Sequence, residues 1–344
     1  MYRSGSSWKA IARTKLRSER VRHLHQMMRS PLIIAPLLLA FPFFTTAQEG
    51  RLVERKPHDI PASSIAAMRG SMPMVDSLLE GVKVQSITYL SDGLKVKGYL
   101  VEPAAEGRYP AIIFNRGGNR DFGMIEDRLV LRHLVTMASW GYVVVASQYR
   151  GTDGGEGRDE FGGADVNDVL NLLPLLSQLS SVDTSRMGMV GGSRGGLMTY
   201  LALTRTTRIK AAVVRAGLTD AFRSVAERPE MGTKVMAELI PGYASDPDSV
   251  LATRSPVRWA ERMCPTTPIL LLHGTADWRV SPLDALDMAE ALYRHRHPFR
   301  LLMLEGGDHA LSEHRELADR ATREFLDAYV RDGKTWPDLE PHGE

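Results

Sequence analysis

The sequence has very little cysteine, and its N-terminal apolar run is short. Cys264 is the one cysteine among 344 residues, which excludes an internal disulfide, and its place before Pro265 is typical of a small packing residue. The apolar run at residues 31–44 contains three prolines and is shorter than the roughly 20 residues that span a bilayer. The sequence also lacks a His-Glu-x-x-His motif and a phosphate-binding loop, so we expect no metal and no organic cofactor.

The first 47 residues differ from the rest of the chain in charge and composition. They hold eight Lys/Arg and one Glu, and the apolar run is followed by small residues before Gln48. This pattern predicts a secretory signal peptide over residues 1–47, with translation starting at Met27 or Met28. The mature protein is then expected to be periplasmic or secreted, with no membrane anchor after cleavage. A retained anchor is the alternative.

The charge of the remaining chain argues against nucleic acid as a partner. Residues 1–47 carry a net charge of +7, and since the whole chain carries +2, residues 48–344 carry −5. A mildly acidic protein without a basic cluster is not expected to bind a polyanion.

Short apolar runs alternate with helical patterns along most of the chain. A hairpin is predicted first, from strands at residues 82–90 and 94–101 joined by an Asp-Gly turn. Further strands are predicted at residues 111–114, 142–146, 187–190, 211–214, 269–272 and 300–304, and helices at residues 125–140, 165–179, 197–204, 283–293 and 317–329. This order predicts an α/β fold with a mostly parallel central sheet of about eight strands and helices on both faces.

The predicted body of the protein spans residues 82–333. Residues 48–81 are interrupted by prolines and are predicted to form an N-terminal arm wrapped on that body, and residues 334–344 a C-terminal tail. Residues 217–257 are too few for a domain and are predicted to supply a small helical lid or wall.

A Gly-x-Ser-x-Gly motif lies between a predicted strand and a predicted helix. Ser193 is its serine, with Gly191 and Gly195 two positions to either side. A strand that turns directly into a helix strains the corner residue and exposes its side chain, and small neighbours leave room for that turn. The motif therefore predicts a nucleophile elbow, with a plain glycine turn as the alternative.

An acid and a histidine follow Ser193 in the order that serine chemistry needs. Asp277 and His309 each come after a predicted strand, and the ends of parallel strands meet at one edge of a sheet. Histidine can accept the serine proton near neutral pH, and a carboxylate orients the imidazole. We therefore predict a Ser193, Asp277, His309 triad. Asp308 is the competing acid, and His273 is interpreted as a core or turn residue.

Backbone amides are expected to bind the oxyanion. The amide of Arg194 begins the helix after Ser193, and the segment Arg116-Gly117-Gly118 ends an earlier strand. Either Arg116 or Gly117 is predicted to supply the second amide, and the sequence leaves that choice open.

Several motifs together resemble the prolyl oligopeptidase family of serine peptidases, which includes dipeptidyl and acylaminoacyl peptidases. They run in family order and are Tyr149-Arg150-Gly151 with Gly154-Gly155, Asp165-Val166-Asn167-Asp168-Val169, Gly191-Gly192-Ser193-Arg194-Gly195-Gly196, Ser255-Pro256, His273-Gly274 to Asp277 with Val280, and Gly307-Asp308-His309. The resemblance implies an α/β-hydrolase fold and a covalent acyl-enzyme, with nucleophile, acid and base at Ser193, Asp277 and His309.

The sequence also departs from that family in ways that bear on specificity. Residues 48–81 are too few for the family's β-propeller, and the paired glutamates that hold a substrate amino terminus in dipeptidyl peptidases have no counterpart. Arg116-Gly117-Gly118 replaces the family's oxyanion tyrosine or His-Gly-Gly, and Arg194 replaces a more usual aromatic or small residue.

Three functions follow from these observations. The first is an exported serine peptidase of the prolyl oligopeptidase type acting on a small peptide or acyl-ester substrate. The second is a carboxylesterase of the dienelactone-hydrolase or acyl-esterase type, and the third a hydrolase fold kept as a non-catalytic binding protein. Pocket residues are predicted at Tyr200, Phe222, Met231 and Trp278, with core packing as the alternative. The oligomeric state is left open.

Overall fold

Nine strands form one mixed sheet in the computed structural model, which describes residues 49–343. The strands are β1 (Leu52–Pro57), β2 (Val82–Ser91), β3 (Leu94–Pro103), β4 (Tyr109–Asn115), β5 (Val143–Ser147), β6 (Val182–Gly192), β7 (Ile209–Arg215), β8 (Ile269–Gly274) and β9 (Phe299–Leu304). Their order across the sheet is β1-β2-β3-β5-β4-β6-β7-β8-β9. The predicted signal peptide lies outside the described residues.

The sheet changes from antiparallel to parallel along its width. β1, β2, β3 and β5 pair antiparallel, and every pair from β5-β4 to β8-β9 is parallel. Central strands such as β5 are buried along their whole length, because helices cover both faces of the sheet, and this explains their unbroken apolar sequence. The α/β fold and the predominantly parallel sheet predicted from the sequence are confirmed.

The ninth strand comes from the segment predicted as an N-terminal arm. β1 pairs with β2 at the sheet edge, and its sequence LVERKP leaves most side chains exposed. A charged, exposed edge strand has little apolar pattern to reveal it. The same segment continues into the helices α1 (Ala62–Arg69) and α2 (Val75–Glu80).

The remaining helices cover the two faces of the sheet. One continuous stretch consists of α3 (Asp127–Leu129), a π-helical turn (Val130–Val135) and α4 (Thr136–Ser139). The other α-helices are α5 (Val166–Leu170), α6 (Leu172–Leu176), α7 (Arg194–Leu203), α8 (Ala221–Glu227), α9 (Pro229–Met231), α10 (Ala237–Leu239), α11 (Pro247–Ala252), α12 (Pro282–Arg294) and α13 (Arg315–Leu326). Further π-helical turns span Gly232–Met236 and Asp327–Arg331, and 3₁₀ turns span Pro256–Arg258 and Ala260–Arg262.

The sheet separates two apolar cores. The first core contains residues of α5, α6, α7, α11 and α12. The second contains residues of α1, α4, α13 and the π-helical turns at 130–135 and 327–331. Trp336, in the predicted C-terminal tail, packs with Tyr329 and Phe325 against this second core. Within residues 49–343, no helix is both long enough and apolar enough to cross a membrane.

The strand order places a binding crevice at the carboxyl end of β4. The chain runs from β4 to β5, which lies on one side of β4, and β6 lies on the other side of β4. Loops leaving neighbouring strands in opposite directions open a crevice at such a switch point. The loops after β4, β6, β8 and β9 therefore determine the chemistry at this edge.

Candidate active site

Ser193 occupies a sharp turn between β6 and α7. Its backbone has φ 56° and ψ −125°, a left-handed conformation that a residue with a side chain rarely adopts. A Cβ atom on Gly191 would lie 2.2 Å from the Gly195 carbonyl oxygen, and one on Gly195 would lie 1.9 Å from the Asn115 carbonyl oxygen. Only glycine fits at these two positions, which explains the spacing of the motif.

His309 and Asp277 are joined by a hydrogen bond at the same edge of the sheet. His309 Nδ1 lies 2.8 Å from Asp277 Oδ2, with Asp277 in the loop after β8 and His309 in the loop after β9. An ionised carboxylate can only accept, so Nδ1 carries the proton and Nε2 is left as an acceptor. The pair thus has the orientation that a general base requires.

The surroundings of Asp277 keep its carboxyl group ionised. Oδ1 accepts bonds from the amides of Arg279 and Val280 at 2.8 and 3.1 Å, and Oδ2 also lies 3.2 Å from Nε2 of His273. Burial raises the pKa of Asp277, but the bonds from His273, His309 and Val280 outweigh it and hold the pKa well below its usual range. His273, interpreted from the sequence as a core or turn residue, is buried in contact with this carboxylate.

Asp308, the competing acid, has a different role. Its Oδ1 accepts hydrogen bonds from the amides of Ala310 and Ser312 at 2.9 and 2.8 Å. These bonds shape the loop that carries His309, and it is Asp277 that contacts the imidazole.

The loop after β4 brings its backbone beside Ser193. A Cβ atom on Gly117 would lie 3.1 Å from Ser193 Cβ and 3.8 Å from its Oγ. Arg194 is the first residue of α7, and the amides of a helix's first turn have no acceptor within the helix. The Arg116 side chain is used elsewhere, with Nε donating to the Gln148 carbonyl at 2.9 Å. Backbone amides near Gly117 and at Arg194 are therefore the donors available beside Ser193.

The side chain of Arg194 is buried below the site in an ion-pair network. Its Nη1 and Nη2 donate to Asp159 at 2.7 and 2.8 Å, and Nη2 also pairs with Asp165. Nη1 also donates to the Gly118 carbonyl at 3.0 Å, and the guanidinium carbon lies 5.0 Å from the centre of the Tyr149 ring. Burial raises the pKa of Asp159, but Arg194 more than offsets this and lowers it overall. The network therefore joins the loop after β4, at Gly118, to the start of α7 and to the segment that carries Asp159 and Asp165.

Ser193 and His309 line one cavity of about 340 Å³. Of the predicted pocket residues, Met231 lines it. Tyr200 is instead buried in the first core, Phe222 packs at the edge of that core beneath Arg258, and Trp278 is 68% exposed. The alternative of core packing thus describes Tyr200, while Trp278 stacks with arginines at the surface.

Several cavity residues have no signal in the sequence. Phe122, His133, Arg215, Arg228 and Arg279 all line the cavity. Arg215 ends β7 and Arg279 follows Asp277 by two positions. A position at a strand end or beside a motif residue was therefore the one sequence feature that could have indicated these two arginines. His133 and Arg228 sit on or beside helices with no motif of their own.

Replacing Arg194 with methionine tests the buried network. In Arg194→Met, Asp159 and Asp165 lose their cation in a buried setting, so we expect the free energy of unfolding to fall by about 3–5 kcal/mol. Urea denaturation measures it, with Arg205→Met as the matched control, because Arg205 is exposed and lies two residues beyond the end of the same helix. A loss no larger than that of the control would contradict the account.

Comparison with known proteins gives a consistent family assignment. Residues 130–332 match the model of the prolyl oligopeptidase family. The chain is 33% identical over 218 residues to the uncharacterized peptidase YtmA of Bacillus subtilis, covering 63% of this chain and 82% of that protein. It is 27% identical over 238 residues to the acylamino-acid-releasing enzyme of Sus scrofa, covering 64% of this chain but 32% of that enzyme.

Solved structures share the fold over a similar part of the chain. The acylaminoacyl peptidase of Pyrococcus horikoshii superimposes with a TM-score of 0.65 at 22% identity, covering 78% of this chain and 45% of that one. The chain thus spans most of the length of YtmA but less than half of these larger peptidases. Because the family model covers more than half of the sequence, the chain belongs to the prolyl oligopeptidase family of serine peptidases and has an α/β-hydrolase fold.

Proposed function

We propose that Ser193, His309 and Asp277 form the catalytic triad of this peptidase. The observation that carries the proposal is the 2.8 Å bond from His309 to Asp277, in a cavity that His309 shares with a serine in a left-handed elbow. The carboxylate fixes the imidazole tautomer, so that Nε2 can accept a proton.

The reaction then proceeds through an acyl-enzyme. Ser193 Oγ attacks the substrate carbonyl as His309 Nε2 takes the hydroxyl proton, and the carbonyl oxygen becomes an oxyanion. The amides of Arg194 and of Gly117 or Arg116 stabilise that oxyanion. His309 returns the proton to the leaving amine or alcohol as the bond to it breaks. Water then attacks the acyl carbonyl as His309 Nε2 takes its proton, and His309 returns that proton to Ser193 Oγ as the acyl bond to Oγ breaks and the carboxylic acid leaves.

Peptide bonds are the favoured substrate, and a carboxylesterase remains the second candidate. The acylamino-acid-releasing enzymes and dipeptidyl peptidases among its relatives support cleavage of peptides. Among residues 49–343, however, one strand and two short helices precede β2, and they form no propeller. A site without such a cover favours esters, which need less protonation of the leaving group than amides.

Paired aminoacyl ester and aminoacyl anilide substrates test both the triad and the bond cleaved. We expect Ser193→Ala to remove turnover of both, and Asp277→Asn to lower kcat by about 10⁴-fold because the imidazole loses its orienting carboxylate. Asp308→Asn is the matched control, since an amide oxygen can still accept the bonds from Ala310 and Ser312, and it is expected to keep wild-type kcat.

The outcomes separate the candidate functions. Anilide cleavage that depends on Ser193 supports the peptidase, and cleavage of the ester alone supports the esterase. Folded protein that cleaves neither would contradict the proposed triad and leave a binding role. Equal losses in Asp277→Asn and Asp308→Asn would contradict the assignment of the acid.

We also propose that the chain is exported to the periplasm or secreted. The proposal rests on the basic and apolar leader of residues 1–47. N-terminal sequencing of the protein recovered from its producing cells is expected to begin at Gln48. A protein that retains the leader would contradict cleavage and favour an anchor.

A further inference from the structure

The cavity extends to both sides of Ser193, toward opposite faces of the sheet. At one end it is lined by apolar residues of the first core and of its margin, among them Leu218 and Met231. At the other end it is lined by Phe114 and Val190 of the second core, together with His133 and Arg215. A substrate whose scissile bond lies at Ser193 therefore places one part beside Leu218 and Met231 and the other in the end that holds His133 and Arg215, which we call the polar end for these two side chains.

His133 presents its imidazole to the polar end. It lies on the π-helical turn Val130–Val135, a departure from α-helical geometry that is frequent at functional sites. Its ring stacks on Phe114 with centroids 5.0 Å apart and planes 20° apart. Among residues 49–343, neither ring nitrogen has a hydrogen-bonding partner. Burial, and then the charge of Arg215, lower the pKa of His133 to about 3, so the ring is neutral and offers one N–H donor.

Arg215 ends β7 beside Gly192 and has donors to spare. Nη2 donates to the Ala318 carbonyl at 3.1 Å, to Asp319 at 2.8 Å and to Thr322 at 2.7 Å. Within the described chain its Nε is buried without a partner, and Nη1 has no hydrogen bond and is not enclosed by protein. The two N–H groups of Nη1 are therefore available to an acceptor that a ligand supplies.

The charge of the whole cavity has one sign. Five arginines line it, and none of its described lining residues is an aspartate or glutamate. Arg194 is neutralised by its network, and Arg215 shares its charge with Asp319. Arg279 has no ion pair with any described residue, and its guanidinium carbon lies 4.9 Å from the centre of the Trp278 ring and 5.8 Å from that of Phe122. Such a cavity favours an anionic group over a cationic one.

We propose that His133 and Arg215 form a subsite for a carboxylate of the substrate, at the end of the cavity opposite Met231. The proposal rests on the proposed function, because it takes Ser193 as the position of the scissile bond. A guanidinium and an imidazole N–H both donate to a carboxylate, and such charge-assisted bonds are stronger than neutral ones. The subsite favours substrates that carry a carboxylate on the acyl group or on the leaving group.

Carboxylate and carboxamide substrates of the same shape test the subsite. In one arm the charge lies on the acyl group, with 4-nitrophenyl glutarate against 4-nitrophenyl glutaramate. In the other arm it lies on the leaving group, with 3-carboxyphenyl butanoate against 3-carbamoylphenyl butanoate. Ser193→Ala serves as the blank in both. We expect kcat/KM to favour the carboxylate by about 10–100-fold in one arm, the range of a bond to a charged group.

Three variants locate the effect. Arg215→Gln and His133→Phe are each expected to reduce the ratio of kcat/KM for the carboxylate to kcat/KM for the carboxamide at least several-fold. Arg132→Gln is the matched control, since Arg132 is on the same π-helical turn but lines a different groove and bonds Ser71. No preference in either arm, or a preference that survives both variants, would overturn the proposal.

A binding measurement keeps the subsite testable apart from turnover. In Ser193→Ala, calorimetry is expected to show glutarate binding at least 10-fold more tightly than glutaramide, with the difference lost in Arg215→Gln. Equal binding of the two compounds would overturn the subsite. Absence of turnover on the uncharged esters would count against the proposed triad instead.

Discussion

The left-handed backbone of Ser193 is the constraint on which the arrangement of this site depends. The turn from β6 into α7 is tight enough that the Gly195 backbone meets the Asn115 carbonyl at the end of β4. The elbow is therefore built against the neighbouring strand, and the loop after β4 starts beside Ser193. In a parallel sheet the loops after β8 and β9 reach the same edge, which is where Asp277 and His309 meet.

Buried ion pairs hold in place the loops around this elbow, which have no regular secondary structure. Arg194 joins Asp159 and Asp165 to the Gly118 carbonyl. The next residue after Tyr149, Arg150, donates to Asp168 through both its side chain at 2.7 Å and its amide at 2.7 Å. Arg150, Asp165 and Asp168 belong to the motifs by which the sequence resembles its family, whereas Asp159 lies outside them. Their positions show that the motifs include structural ion pairs as well as reacting groups.

The sequence allowed much of this fold to be predicted, because the signals were local. Buried parallel strands gave unbroken apolar runs, and the Asp92-Gly93 turn, with φ of 53° and 77°, marked the first hairpin. β1 was missed because an exposed, charged edge strand has no apolar pattern. The π-helical turn under His133 was missed as well, because the predicted helix at residues 125–140 gave no sign of a change in winding.

The walls of the cavity could not be predicted for a different reason. Tyr200 and Met231 are both apolar residues on helical segments, and only the packing decides that one is buried in the core and the other lines the cavity. Trp278 follows Asp277 directly, yet its ring turns outward to stack on Arg228 and Arg279. The sequence does not show that the side chains of the adjacent residues Asp277 and Trp278 point in different directions, and only the fold does.

The central claim is that Ser193 is an activated nucleophile, and covalent labelling tests it most directly. The folded protein would be incubated with a fluorophosphonate, digested and analysed by mass spectrometry. The account predicts one phosphonyl adduct per chain, on the peptide that contains Ser193. A folded protein that stays unlabelled, or that carries the adduct on another residue, would contradict it.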